Sequence, residues 1–463
     1  MKTDSEADME LDSLRQEVYD ITREIIRLAA KRRDVAIKIG KIKTDASLPL
    51  NDIRVEDELL RMVIDESNKN SLDPQSGIWI LSLLLRQAKE SQRREQNVET
   101  PTAIMTIAKN LEEKGKKLVR LDVGETNFEP PTSAVNAAIE SMHSQKTHYT
   151  VARGIPELIE SIKRYIQRRY SFNARDDQIV ATPGGRFAIY SARAYLLRKG
   201  GSCVIIDPSW PAYKQMVEHL GGRIIIVSTE LEEEWEPSIE KVKEAIKPDT
   251  RALFLNYPCN PTGKVISKKK FEEIVKVASE RKVTVISDEI YSTYSNVEVP
   301  SVLEYELTNW LYIGSFSKAW AMTGFRLGFA VGNPELIKEM VNFMSLAMTS
   351  LPEFLQYSAI AALSSEKEVE RNAIEMKSRI ERACEELDRI KSIKYYKPDG
   401  GIYVFPRVPE QITDFSRRLL EEKGVTVVPG ISFGNYPNFF RISLGNSEET
   451  IVDGIRKMGE LLR

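Results

Sequence analysis

Residues 311–318, LYIGSFSK, put a lysine directly after a short apolar run. Leu311 to Gly314 is too short for a helix and bounded by Gly and Ser, so it reads as a buried strand. Ligands of open α/β sheets bind beyond the carboxyl ends of the strands. Lys318 therefore stands where chemistry is expected, and Arg326 follows eight residues later. Outward from this point, similar runs at 203–207, 223–227, 252–256, 283–287 and 327–331 alternate with helical segments. That alternation predicts a parallel α/β sheet covered by helices on both faces. Several runs end in polar clusters. Asp288 follows 283–287, with Tyr291 three residues on. Asn260-Pro261-Thr262-Gly263 follows 252–256, and Thr182-Pro183-Gly184-Gly185-Arg186 opens a helix. Each alone reads as a turn or a solvated charge. In this order on one sheet they mark a single site.

The N-terminal part has a different period. Leu14, Val18, Ile21, Ile25, Leu28, Val35, Ile39 and Ile42 keep helical spacing along one long segment. Thr44 to Pro49 reads as a loop. Asp52 is a candidate N-cap for a second helix, and Leu72-Asp73-Pro74 starts a third. We therefore expect an all-α three-helix domain over 11–95, preceded by a frayed tail at 1–10. The first helix, about 30 residues or roughly 45 Å, is too long for one protomer to cover, so an intertwined dimer is expected. The polar stretch at 96–101 reads as a linker. The remainder, 102–463, divides into a large portion at about 136–345 and a smaller α+β portion built from 102–135 and 346–463.

The 463 residues exceed what one core usually holds. With 66 basic and 68 acidic side chains, no overall charge draws the chain to nucleic acid or an anionic membrane. No apolar run approaches a membrane span, and the acidic N-terminus lacks an apolar signal core. Cys203, Cys259 and Cys384 lack metal-type spacing and only three histidines occur, so no metal site is expected. Unpaired thiols fit a cytoplasmic protein.

Over about 101–463 these motifs resemble the fold-type I aminotransferases of class I/II. The resemblance implies an α/β fold with a mostly parallel central sheet and a smaller α+β domain, and pyridoxal 5′-phosphate carried covalently by Lys318. It places Asp288 at the ring nitrogen, Asn260 and Tyr291 at the ring O3′, and Trp210 against the ring face. Gly185 and Arg186 backbone N–H groups, with Ser315 and Arg326, would hold the phosphate. Tyr149, in YTVARG at 149–154, would reach the phosphate of a neighbouring subunit, which implies a homodimer. Arg441 would clamp the substrate carboxylate as a planar fork, beneath a loop containing Gly124. Here Gly124-Glu125-Thr126 departs from the family's Gly-Glu-Pro, near the substrate side chain.

Residues 11–95 resemble the all-helical chorismate mutases. Arg32 and Lys43, eleven residues apart, share a helix face. The resemblance implies that Arg32, and Arg15 from a partner chain, clamp the carboxylates of chorismate. Lys43 and Gln92 would donate to the breaking ether oxygen, and Asp52 or Glu56 would hold the ring hydroxyl. Val55 and Ala88 stand where that family commonly has arginine and a polar residue. Together the two resemblances imply a bifunctional enzyme of aromatic amino acid synthesis. It would convert chorismate to prephenate, and transaminate prephenate or an aromatic keto acid with glutamate or aspartate as donor. An aspartate or broad-specificity aminotransferase with a dimerising or regulatory helical domain is the alternative, and a pyridoxal-phosphate lyase a further one.

Overall fold

The computed structural model describes residues 4–45, 53–95, 101–409 and 414–462. The chain divides into two compact units, Met1–Val98 and Glu99–Arg463.

The first unit contains helices α1 (Asp4–Asp45), α2 (Ile53–Lys69) and α3 (Pro74–Glu95). Helix α1 begins at Asp4, inside the stretch 1–10 expected as a tail. Its opening sequence DSEADME carries the acidic residues that a helix N-terminus favours. Helix α1 also runs through Gly40 to Asp45. Helix α3 packs on both α1 and α2. Its Gly77 allows the closest approach, since a Cβ there would lie 2.1 Å from the Ser67 Oγ. Much of the α1 apolar stripe lies bare within one chain, with Leu14, Val18, Ile21 and Ile25 each more than half exposed.

The second unit is built on a seven-stranded sheet. Its strands are β1 (Ile179–Thr182), β2 (Ser202–Asp207), β3 (Arg223–Ser228), β4 (Thr250–Asn256), β5 (Thr284–Asp288), β6 (Trp310–Ser315) and β7 (Gly328–Gly332). The spatial order is β1-β7-β6-β5-β4-β2-β3. All pairs are parallel except the two made by β7, which is antiparallel to β1 and β6. The sheet is thus mostly parallel, as expected, and the exception falls at the run 327–331. A parallel crossover usually carries a full helix packed against the sheet. Here the connection holds only the short helix Phe316–Ala319 and a loop, so the chain turns straight back. Strand β1 did not stand out in the sequence.

Apolar residues on both sheet faces form the main cores. A further core lies around a three-stranded antiparallel sheet of Val428–Pro429, Phe440–Ser443 and Tyr403–Val404. Val119–Arg120 pairs separately with Val425–Thr426. The boundary expected at 345/346 does not fall there. Leu351, Ala359, Ala362 and Leu363 pack into the large sheet's core, because helix Glu353–Ala362 lies against helix Thr132–His143. Among the described residues no helix is long and apolar enough to cross a membrane.

Candidate active site

A cavity of about 530 Å³ opens beyond the carboxyl ends of β4, β5 and β6. Gly124, Gly185, Arg186, Trp210, Asn260, Asp288, Tyr291, Ser315, Lys318, Arg326 and Arg441 all line it. Tyr149 does not; it is 86% exposed on the same chain. Tyr213, Asn256 and Tyr403 also line the cavity and were not singled out from the sequence.

Asp288 ends β5 and forms the floor. Burial pushes its carboxyl up to about 6, against a hydrogen bond from the Tyr213 hydroxyl. Tyr213 belongs to helix α5 (Pro211–His219), which Trp210 precedes and Pro211 opens. Asn256, at the end of β4, donates to the Asp288 carbonyl at 2.9 Å and accepts from the Asn260 N–H at 3.0 Å. Over the ring space, the Arg186 guanidinium sits 4.8 Å from the Trp210 ring centroid.

One wall is backbone. Helix α4 (Gly185–Leu196) begins without a side-chain cap, and its N-cap Gly184 has φ +83°, a conformation open to glycine. A Cβ on Gly328 of β7 would lie 2.7 Å from the Gly184 carbonyl carbon and the Gly185 nitrogen. Arg326 overhangs this turn, with its Nη2 2.9 Å from where a Gly184 Cβ would be. Ser315, at the end of β6, accepts the Ser317 N–H at 3.2 Å and caps the short helix that carries Lys318. The Tyr294 hydroxyl donates to the Lys318 carbonyl at 2.8 Å, and the Lys318 Nζ donates to the Gly124 carbonyl.

Opposite stands Arg441. It donates to the Asn260 Oδ1 at 3.0 Å and the Asp122 carbonyl at 2.7 Å, while its buried Nε has no partner among the described residues. Its guanidinium lies 4.2 Å from the Tyr403 ring centroid. The Tyr403 and Tyr291 hydroxyls are 3.0 Å apart.

These donors fit pyridoxal phosphate. Uncapped helix N–H groups, Arg326 and Ser315 make an anion cradle. Asp288 is a buried carboxylate with no cation in ion-pair contact among the described residues, a partner that a protonated ring nitrogen would supply. Lys318 lines the same cavity.

In the helical unit, Arg32 donates to the Leu84 carbonyl at 2.9 Å and so ties α1 to α3. Position 88, a buried alanine, and position 92 follow Leu84 at successive four-residue steps along the same stripe of α3. The Gln92 side chain and all of Asp52 lie outside the described residues. Lys43 is half-buried in the last turn of α1, and Glu56 half-buried in the first turn of α2. Arg15 is exposed and pairs with Asp12 at 3.0 Å. It lies seventeen residues before Arg32 on one straight element, about 25 Å along the axis. Arg15 and Arg32 of one chain therefore cannot meet at one small ligand.

Comparison with known proteins agrees with this geometry. Residues 116–457 match the family Aminotransferase class I and II, and residues 14–93 match Chorismate mutase type II. The chain is 34% identical to (5-formylfuran-3-yl)methyl phosphate transaminase of Methanocaldococcus jannaschii, covering 78% of this chain and 95% of that protein. It is 32% identical to the probable aspartate/prephenate aminotransferase of Aquifex aeolicus, covering 78% and 96%. The crystal structure of aspartate aminotransferase from Thermotoga maritima superposes with a TM-score of 0.76 at 30% identity, covering 80% of this chain and 98% of that one. The chain belongs to the aminotransferases of class I and II, a pyridoxal-phosphate-dependent family, and carries a chorismate mutase type II region ahead of that fold.

Proposed function

We propose that the chain is a bifunctional enzyme of aromatic amino acid synthesis, converting chorismate to prephenate and transaminating prephenate or an aromatic keto acid. The observation that carries this reading is the joining, on one chain, of a chorismate mutase type II region to a class I/II aminotransferase fold. The product of the first reaction is then a keto acid at hand for the second. A relative named as a probable aspartate/prephenate aminotransferase adds support.

Pyridoxal phosphate, when bound, supplies an electron sink for the pair left at the substrate Cα. Lys318 would carry the cofactor at rest, and its freed Nζ would move a proton from the substrate Cα to the cofactor carbon on the far side of the shared nitrogen. Asp288 would meet the ring nitrogen and keep it protonated. Asn260 and Tyr291 would hydrogen-bond the ring oxygen, and Trp210 would cover the ring face. Gly185 and Arg186 N–H groups, Ser315 and Arg326 would hold the phosphate, with Tyr149 of a second copy. Arg441, backed by the Tyr403 ring, takes the substrate carboxylate under the Gly124 loop, with glutamate or aspartate as donor.

The chorismate rearrangement needs no nucleophile, so its residues restrict and stabilise. Arg32, and Arg15 of a second copy, hold the carboxylates. Lys43 and Gln92 donate to the ether oxygen, and Asp52 or Glu56 holds the hydroxyl. The bare apolar stripe of α1 favours a homodimer, working in the cytoplasm.

A panel of acceptors on the purified full chain tests the reading, with prephenate, phenylpyruvate, 2-oxoglutarate and oxaloacetate. Turnover of an aromatic acceptor together with chorismate consumption supports it; failure with every aromatic acceptor sinks the pathway assignment. The second reading, an aspartate or broad-specificity aminotransferase with a regulatory helical domain, draws on Val55 and the buried Ala88 in place of polar residues. Oxaloacetate turnover without any chorismate consumption would favour it.

A further inference from the structure

Arg193 lies on the buried face of α4, among Ala188, Ile189, Ala192 and other apolar groups. It has no exposed surface. Among the described residues no carboxylate lies within ion-pair reach, and its Nε and Nη2 have no hydrogen-bond partner. A buried guanidinium left so short of partners is costly, and packing alone would be served by leucine or methionine. What does surround it is specific. Its Nη1 donates to the Tyr213 carbonyl. Its charged carbon lies 3.9 Å from the Phe254 ring centroid and 5.5 Å from that of Tyr213. Those two rings stack at 5.5 Å. The Tyr213 hydroxyl donates to Asp288. A single aromatic residue therefore joins a buried cation to the carboxylate on the cavity floor.

We propose that Arg193 is a positioning residue for the cofactor: a buried positive charge that, through Tyr213, keeps Asp288 ionised and oriented toward the ring nitrogen. This rests on the reading that Asp288 meets that nitrogen. The carboxylate is otherwise poorly placed to stay charged, because burial drives it toward its neutral form. A neutral Asp288 would hold a ring nitrogen far less well. Burial lowers Arg193 itself only to about 10, so it stays a cation at neutral pH. The other charged or titratable groups facing this pair are few. Lys318 acts on Asp288 from the short helix after β6. Tyr291 faces it from beyond β5, with Tyr403 and Arg441 behind, and Cys203 of β2 faces Arg193 as a thiol that burial holds neutral.

The test is the pH dependence of pyridoxal phosphate affinity, read from chromophore absorbance on reconstituting full-length apoprotein between pH 5 and 9. The ligand's own titration is common to all variants, so differences report the protein. Arg193→Met should move the midpoint up by about one unit, the scale of one buried charge at this remove, and so weaken binding about twofold at pH 7 and nearly tenfold at pH 5. Arg193→Lys should keep the wild-type midpoint. Arg193→Gln, which retains a donor for the Tyr213 carbonyl, should follow the methionine variant and serves if that one does not fold. Asp288→Asn should abolish the protein's contribution to the pH dependence. Wild-type midpoints in both neutral variants, with Asp288→Asn still abolishing the dependence, would overturn the role of Arg193 alone. Survival of the dependence in Asp288→Asn would instead overturn the reading of Asp288. Failure of both neutral variants to fold while Arg193→Lys folds would also overturn the proposal, since the charge would then serve the core.

Discussion

Asp288 illustrates how one residue can weaken an empty site and strengthen a filled one. Its carboxyl rises from an ordinary 3.8 to about 6 on folding, through burial. The sign follows directly. A raised acid favours the folded state while protonated, so its contribution is best below about pH 4, declines as pH rises toward 6, and stays lost above. The shift corresponds to about 3 kcal/mol. Apoprotein carrying Asp288→Asn should therefore melt higher than wild-type apoprotein at pH 8, with the gap closing toward pH 4. The same variant should lose transamination by several orders of magnitude. A lower melting point for the variant at pH 8 would contradict the account. Lys318→Ala makes a different prediction. It should remove the visible band of bound cofactor and all transamination, yet leave chorismate consumption unchanged in a coupled assay. Loss of both activities in folded protein would show the two halves to be interdependent.

At the scale of elements, the strand ends were legible and the strand directions were not. Lys318, Asp288 and Asn260 could be read because each follows a β-rich run within four residues, and Arg326 because it stands just before one; the sheet brings all four to one cavity. Tyr213 hid on a helix, where an aromatic at apolar spacing reads as core. Arg193 hid for the opposite reason, since a cation at helical spacing reads as a solvated face. Strand β1 is four residues before Pro183 and reads as a lead-in to the helix. Nothing in the run at 327–331 says which way β7 points, because local composition encodes extension and burial but not direction. That strand matters to the cradle. Gly328→Ala would push a Cβ to 2.7 Å from backbone atoms of Gly184 and Gly185, which cannot yield without moving the start of α4. The expected result is a rise of tenfold or more in the dissociation constant for pyridoxal phosphate, about 1.4 kcal/mol, with the fold retained by circular dichroism. An unchanged dissociation constant would remove this turn from the phosphate site.

For the whole molecule, the 42-residue α1 sets the separation of Arg15 and Arg32. If a chorismate site takes Arg32 from one chain and Arg15 from another, two inactive variants should repair each other. Mixing Arg15→Ala with Arg32→Ala chains after dissociation should restore mutase activity to about a quarter of wild type, because half of the two-fold dimers are hybrids with one intact site. No recovery from verified hybrids would place both arginines in one chain's site, or neither. The larger unit distributes its groups otherwise. Because β7 turns straight back beside β6, a span of twelve residues carries both Lys318 and Arg326, and its two ends are locked to adjacent strands. These two groups thus share one rigid mount, whereas Arg441 and Gly124 hang on other parts of the chain. Any tightening around a substrate must swing the second pair toward the first. The lysine and the phosphate anchor act as the fixed jaw of a vice, and the carboxylate clamp as its moving one.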